Sequence, residues 1–157
     1  DFALMVDGRP FFVKGVTYAG TKGGDDQLER DLREIKSLGA NTIRNWGCDD
    51  VETPKLLAAA EKVGLKVMLG LWLRHGRPGA EDDDSFDWVN DAAGREKQMA
   101  DTIRYVETFK NSPALFCWGA GNEVILNIAT EEEKVAYAKF LEQVVREVKK
   151  RDPHHPV

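Results

Sequence analysis

The sequence predicts an α/β fold of four strand-then-helix units, half of a (β/α)8 barrel, (β/α)4, behind a short N-terminal hairpin. Three observations carry this. Apolar segments of strand length alternate strictly with segments of helical period, and such alternation demands a parallel sheet with right-handed crossovers. The stretch Leu65 to Leu73 is nearly all apolar, as befits a parallel strand covered on both faces. Polar and aromatic residues gather at several strand ends: Tyr18, Arg44-Asn45-Trp46, Trp72 with Arg74-His75, and Asn122-Glu123. A barrel collects its chemistry at the C-terminal ends of many strands, whereas an open doubly wound sheet concentrates it at one switch point. The distribution favours the barrel.

Each element has its own signal. Leu4-Met5-Val6 and Phe11-Phe12-Val13 flank Asp7-Gly8-Arg9-Pro10, a turn sequence that predicts a hairpin. Strand one continues through Gly15-Val16-Thr17-Tyr18. Helix one follows Asp25 or Asp26 as N-cap, aligns Leu28, Leu32, Ile35 and Leu38 on one face and stops at Gly39. Strand two is Asn41 to Trp46. Helix two opens at Thr53-Pro54, buries Leu56, Ala60 and Val63, and ends at Gly64. Strand three is Leu65 to Leu73. A loop of about twenty residues follows, Arg74 to Gly94, and loops that long in compact domains carry function or are disordered. Helix three aligns Met99, Ile103, Val106 and Phe109 and is ended by Asn111-Ser112-Pro113. Strand four is Ala114 to Trp118. Helix four has a capping box in Thr130 and Glu133 before Val135, Ala138, Leu141, Val145 and Val148, and closes at Asp152-Pro153. No internal repeat emerges, and residues 1–157 are expected to form a single domain.

Composition narrows the function. The 157 residues carry a net charge of -5 and no basic patch, which argues against nucleic acid as a partner. Lys149-Lys150-Arg151 suits a helix C-terminus instead. No apolar run reaches the roughly 20 residues that span a bilayer, so no membrane partner is expected. The chain opens at Asp1, as a processed protein or an excised piece would. No cofactor or metal is expected either. Gly20, Gly23 and Gly24 have neither the Rossmann nor the P-loop spacing. Cys48 and Cys117 lack metal-site spacing. The acidic run Glu81-Asp82-Asp83-Asp84 with Asp87 fails as a calcium loop, because Phe86 or Trp88 falls where a ligand or glycine is required.

The chemistry points to Glu123. In Phe116-Cys117-Trp118-Gly119-Ala120-Gly121-Asn122-Glu123-Val124 an apolar strand ends in small residues and then presents an amide beside a carboxyl. A carboxyl so placed suits proton transfer to a departing glycosidic oxygen; the bland reading is a solvated side chain at a loop start. Asn122 can donate to and accept from a sugar hydroxyl, or simply form a turn. Arg44 is a charge on a strand read as buried and so requires a partner, for which an active-site carboxylate is the natural choice and a structural ion pair the alternative. Trp46 and Trp72 suit stacking on the apolar face of a pyranose, although tryptophan is more often core.

At these residues the chain resembles the retaining glycoside hydrolases of clan A, (β/α)8 TIM barrels that include the β-galactosidase and β-glucuronidase group and the cellulase-like and mannanase-like families. Gly8-Arg9-Pro10-Phe11-Phe12-Val13-Lys14-Gly15-Val16 resembles their approach to strand one, and Gly39-Ala40-Asn41-Thr42-Ile43-Arg44 their approach to strand two. Gly121-Asn122-Glu123 resembles their strand-four motif. The resemblance covers strands one to four of eight. It implies Glu123 as acid/base, Asn122 on the sugar 2-hydroxyl and Arg44 supporting the nucleophile. His75 stands near where some relatives contact substrate. Val124 departs from the proline common in cellulase-like families. The implied nucleophile, a Glu on strand seven, lies outside these residues.

Three functional expectations follow. The chain is the N-terminal half of a retaining β-glycosidase or transglycosylase acting on a β-linked oligo- or polysaccharide. Alternatively, two copies pair into an eight-stranded ring, since unpaired edges and an apolar inner face invite association. Or it is a non-catalytic carbohydrate-binding scaffold. The resemblance also implies secretion or a periplasmic location.

Overall fold

The computed structural model describes residues 3–20, 23–76 and 86–157. The Glu81 to Asp84 run and the middle of the long loop lie outside them, as do Thr21 and Lys22.

Strands β1 (Met5–Val6) and β2 (Arg9–Pro10) form an antiparallel hairpin, but its second arm is Arg9–Pro10, read from sequence as part of the turn, rather than Phe11 to Val13. Asp7 and Gly8 both take positive φ, 50° and 74°, which is the twist a two-residue hairpin turn requires. Four parallel strands follow in sequential order: β3 (Gly15–Thr17), β4 (Thr42–Arg44), β5 (Lys66–Leu71) and β6 (Leu115–Ala120). Helices α1 (Gly24–Ser37), α2 (Glu52–Val63), α3 (Ala92–Phe109) and α4 (Glu131–Arg151) alternate with them. Sequential order without a reversal is what a barrel segment has and a doubly wound sheet lacks. The predicted α/β fold and its half-barrel order are therefore present. No described helix is long and apolar enough to cross a membrane.

Packing is one-sided. Val67, Leu69, Leu71 and Leu73 are fully buried, whereas Lys66, Met68 and Trp72 between them are half-exposed. The expectation that this strand is covered on both faces is thus met on one face only. The helices cover that face, with α2 on β5, α4 on β6, α1 on α2 and α3 on α4. The opposite face carries Thr42, Arg44, Met68, Gly70 and Gly119, matched by register. Between β5 and β6 the register slips at Val67 and Met68, a bulge that leaves Phe116 to meet Phe11 at a centroid distance of 5.2 Å. Beyond α4 the chain runs back along β6, where Trp118 N donates to Pro156 O at 2.9 Å.

Several local expectations are corrected. Helix α1 begins at Gly24, so Asp25 and Asp26 occupy its first turn rather than its cap, where carboxylates suit the helix dipole. Leu38 lies past its end and is 83% exposed. Helix α2 starts before Thr53 because Asp49 Oδ1 accepts from the N–H groups of Val51 and Glu52, while Thr53 Oγ1 accepts from Asp49 N. Helix α4 buries Tyr137, Phe140, Val144 and Val148 and exposes Val135 and Ala138. The aromatic pair wins the core because Trp88, fully buried, packs 5.0 Å from Tyr137 and 5.3 Å from Phe140. Helix α3 turns Gln98 and Thr102 inward with Val106 and Phe109, and Met99 is only partly covered. Gln98 is drawn in by its Oε1, which accepts from Arg74 N at 2.9 Å. The capping box of Thr130 and Glu133 stands as expected.

Candidate active site

Residues from three strand ends converge on the Asn122-Glu123 step. Arg44 closes β4, and its Nη2 donates to Asn122 Oδ1 at 2.7 Å. The two residues are 78 apart in sequence, yet β5 alone separates their strands. A guanidinium on a half-buried strand needs an acceptor, and the amide oxygen supplies one. That bond also fixes which way the Asn122 amide faces, with its NH2 turned away from Arg44. Arg44 further lies 5.8 Å from the Trp46 ring centre, a cation–π contact.

Asn122 is held from a second direction. Its main-chain oxygen lies 2.8 Å from His75 Nε2. His75 is fully buried and stacks on Trp72 at 5.0 Å with 7° between the rings. The side chain therefore faces the main chain of the motif. Glu123 is exposed and takes the left-handed conformation, φ 52° and ψ 15°. For a residue with a Cβ this costs about 1–2 kcal/mol, and strain of that kind accumulates at functional turns. Gly121 before it is also at positive φ, 74°, so the strand breaks direction twice before the 3-10 turn Val124–Asn127.

Trp46 is presented by a close backbone crossing. A Cβ on Gly70 would overlap the main chain of Trp46, so glycine is required there. Asn45 Oδ1 accepts from Gly70 N at 3.0 Å, Asn45 Nδ2 donates to Gly47 O at 2.7 Å, and Cys48 Sγ donates to Gly70 O at 3.1 Å. Asn45 is thus an architectural residue, which sequence reading placed in the strand-end cluster without giving it that role. The glycine inside an otherwise apolar strand was its available signal.

Trp46 and Tyr18 meet in a cavity of about 310 Å³ also lined by Asn45, Asp25, Asp49 and Glu52. The Tyr18 hydroxyl donates to Asp31 Oδ2 at 2.8 Å. Burial first, then Asp31, raises the phenol above its ordinary range, so it remains a hydrogen-bonding group rather than a base. Asn122 and Glu123 do not line this cavity. The structure therefore links Arg44, Asn122 and His75 by hydrogen bonds, with Trp46 beside Arg44 and Trp72 against His75, while Tyr18 lies to one side. Trp118 stays with the core, its Nε1 donating to buried Asp152 at 2.8 Å.

Thiol nucleophiles find no support here. Burial pushes Cys48 up to about 12, with Asp49 adding and Arg104 opposing, and pushes Cys117 up to about 11. Both are protonated near neutral pH and unreactive as thiolates.

Comparison with known proteins follows the same line. A β-glycosidase from Bacteroides vulgatus shares 24% identity at a TM-score of 0.70, over 100% of this chain and 20% of that one. An exo-β-1,4-mannosidase from Opitutaceae bacterium strain TAV5 shares 19% at 0.69, over 94% and 31%. A β-galactosidase from the psychrophilic Marinomonas ef1 shares 17% at 0.58, over 87% and 26%. Identities this low speak to fold alone, and the chain spans under a third of each structure's length. No curated protein matches it. The family described as glycosyl hydrolases family 2, TIM barrel domain, matches residues 1–157, and the chain belongs to that family.

Proposed function

We propose that residues 1–157 act as a single unit, the N-terminal half of a retaining β-glycoside hydrolase or transglycosylase barrel of the clan A type, with Glu123 as general acid/base. The observation that carries the reading is the hydrogen bond from Arg44 to Asn122, which gathers strand ends two apart beside an exposed carboxyl. The β-linked substrates named for the structures of similar fold support a β-linked oligo- or polysaccharide.

In the first step Glu123 gives its proton to the glycosidic oxygen while a nucleophilic carboxylate attacks the anomeric carbon and the C–O bond breaks. In the second, the Glu123 carboxylate takes a proton from water or from a sugar hydroxyl, which displaces the enzyme. Asn122, oriented by Arg44, offers its amide NH2 to the 2-hydroxyl, and Trp46 and Trp72 flank the sugar. The nucleophile belongs to a strand-seven Glu beyond residue 157. Retention requires the two carboxyls about 5–5.5 Å apart, so the chain by itself is expected to turn over slowly or not at all.

The test is hydrolysis of an activated aryl β-glycoside by the 157-residue chain, alone and after addition of a C-terminal half-barrel. Activity should appear only on addition and vanish in Glu123→Gln. Full activity of the chain alone, abolished by Glu123→Gln, would overturn the missing-nucleophile reading.

A second reading has one specific support: Gly15, Val16 and Thr17 of the outermost parallel strand are all exposed, an open edge that a second copy can pair. A homodimer in sedimentation, with sugar binding indifferent to Glu123→Gln, would favour that scaffold over the enzyme half.

A further inference from the structure

We infer that His75 is a positioning residue whose Nε2–H, by holding the main-chain oxygen of Asn122, sets the left-handed turn that aims Glu123. The distance is 2.8 Å and the side chain is fully buried. A carbonyl oxygen only accepts, so Nε2 must carry the proton in this contact, which fixes the tautomer. The stack on Trp72, nearly parallel at 7°, holds the ring plane in the orientation that the contact needs.

The peptide group joining Asn122 to Glu123 is planar. Anchoring its oxygen therefore fixes the direction of the Glu123 N–H as well. On the far side Glu123 is committed to the turn Val124–Asn127, where its own oxygen accepts from Leu126 N at 3.0 Å. Between two fixed peptide planes, Glu123 absorbs the change of direction at φ 52°. Without the imidazole donor the buried carbonyl loses a partner, and the balance at the Asn122-Glu123 peptide shifts toward the ordinary negative-φ region. The carboxyl would then leave its line toward the sugar. That last consequence rests on Glu123 being the acid/base; the conformational claim does not.

The test is nuclear magnetic resonance of the 157-residue chain. The wild type should show a proton on His75 Nε2 and, at Glu123, the strong intraresidue amide-to-Hα NOE that positive φ produces. His75→Phe keeps a ring against Trp72 and removes the Nε2–H donor; the Glu123 NOE should fall to the weak intensity of negative φ. His75→Gln, whose amide can donate, should restore it. An unprotonated Nε2 in the wild type overturns the inference even if no variant folds, and so does an unchanged Glu123 NOE in His75→Phe. Loss of the NOE together with indifference of turnover to Glu123→Gln would sink the acid/base reading and leave this one standing.

Discussion

Arg44 and Asn122 show how one hydrogen bond serves two residues. The guanidinium gains an acceptor it needs on a half-buried strand, and the amide gains a defined orientation. Arg44→Ala removes the guanidinium donor from Asn122 Oδ1, in a residue 9% exposed. Stability in urea should drop by about 1–3 kcal/mol, the range for losing a hydrogen bond from a charged donor. Arg44→Lys should recover only part of this, because an ammonium cannot reproduce the planar fork. A loss under 0.5 kcal/mol for Arg44→Ala would mean the bond is a passing surface contact. Position 44 was marked from sequence as a charge needing a partner. The partner expected was an active-site carboxylate and the one found is the Asn122 amide, since residues 78 apart become neighbours only through the order of the strands.

Among the elements, β5 and α4 make the sharpest cases. Gly70 sits under the Trp46 main chain with no room for a Cβ. Gly70→Ala must push that loop outward, and overpacking of this kind costs about 1–3 kcal/mol; a falling melting temperature with a shifted Trp46 fluorescence maximum is the expected result. An unaffected spectrum would show that the crossing has slack. Helix α4 offers the opposite situation, a local motif that works as its sequence reads. Thr130 accepts from Glu133 N, and Glu133 returns a bond to Thr130 N. Thr130→Ala should cost about 1 kcal/mol, measured as a shift in the denaturation midpoint at constant slope. The apolar stripe of the same helix was less legible. Valine, alanine and leucine at regular intervals promised one face, but Tyr137 and Phe140 had a tryptophan to meet and took another.

For the whole molecule, Asp152 ties three parts together. It stands at the end of α4, 3% exposed, and accepts from Trp118 Nε1 in β6 while His155 Nδ1 lies 2.7 Å away in the returning segment. Burial works against its charge, yet the bonds from Trp118 and His155 outweigh it and hold the carboxyl below its ordinary value. A lowered folded-state pKa stabilises above the unfolded value of about 3.9 and is lost as pH falls through the folded one. Thermal stability should therefore decline below about pH 4, and Asp152→Asn should be less stable at pH 7 but decline less over that range. Equal acid sensitivity in both proteins would remove Asp152 from the account.

The sequence by itself determined what depends on neighbours along the chain. Hydrophobic period set the order of strands and helices, the Thr130 and Glu133 pair marked the start of α4, and the small residues after Trp118 marked where the chain leaves its strand before Glu123. Local propensity acts over a few residues, so these features survive without knowledge of the rest. The tertiary structure alone decided which side chains meet. It turned His75 into the core against the Asn122 carbonyl, gave Arg44 an amide acceptor, and sent Tyr18 to Asp31 instead. Such pairings depend on parallel strands returning side by side after long crossovers, and neither composition nor spacing encodes which atoms then come within hydrogen-bonding reach.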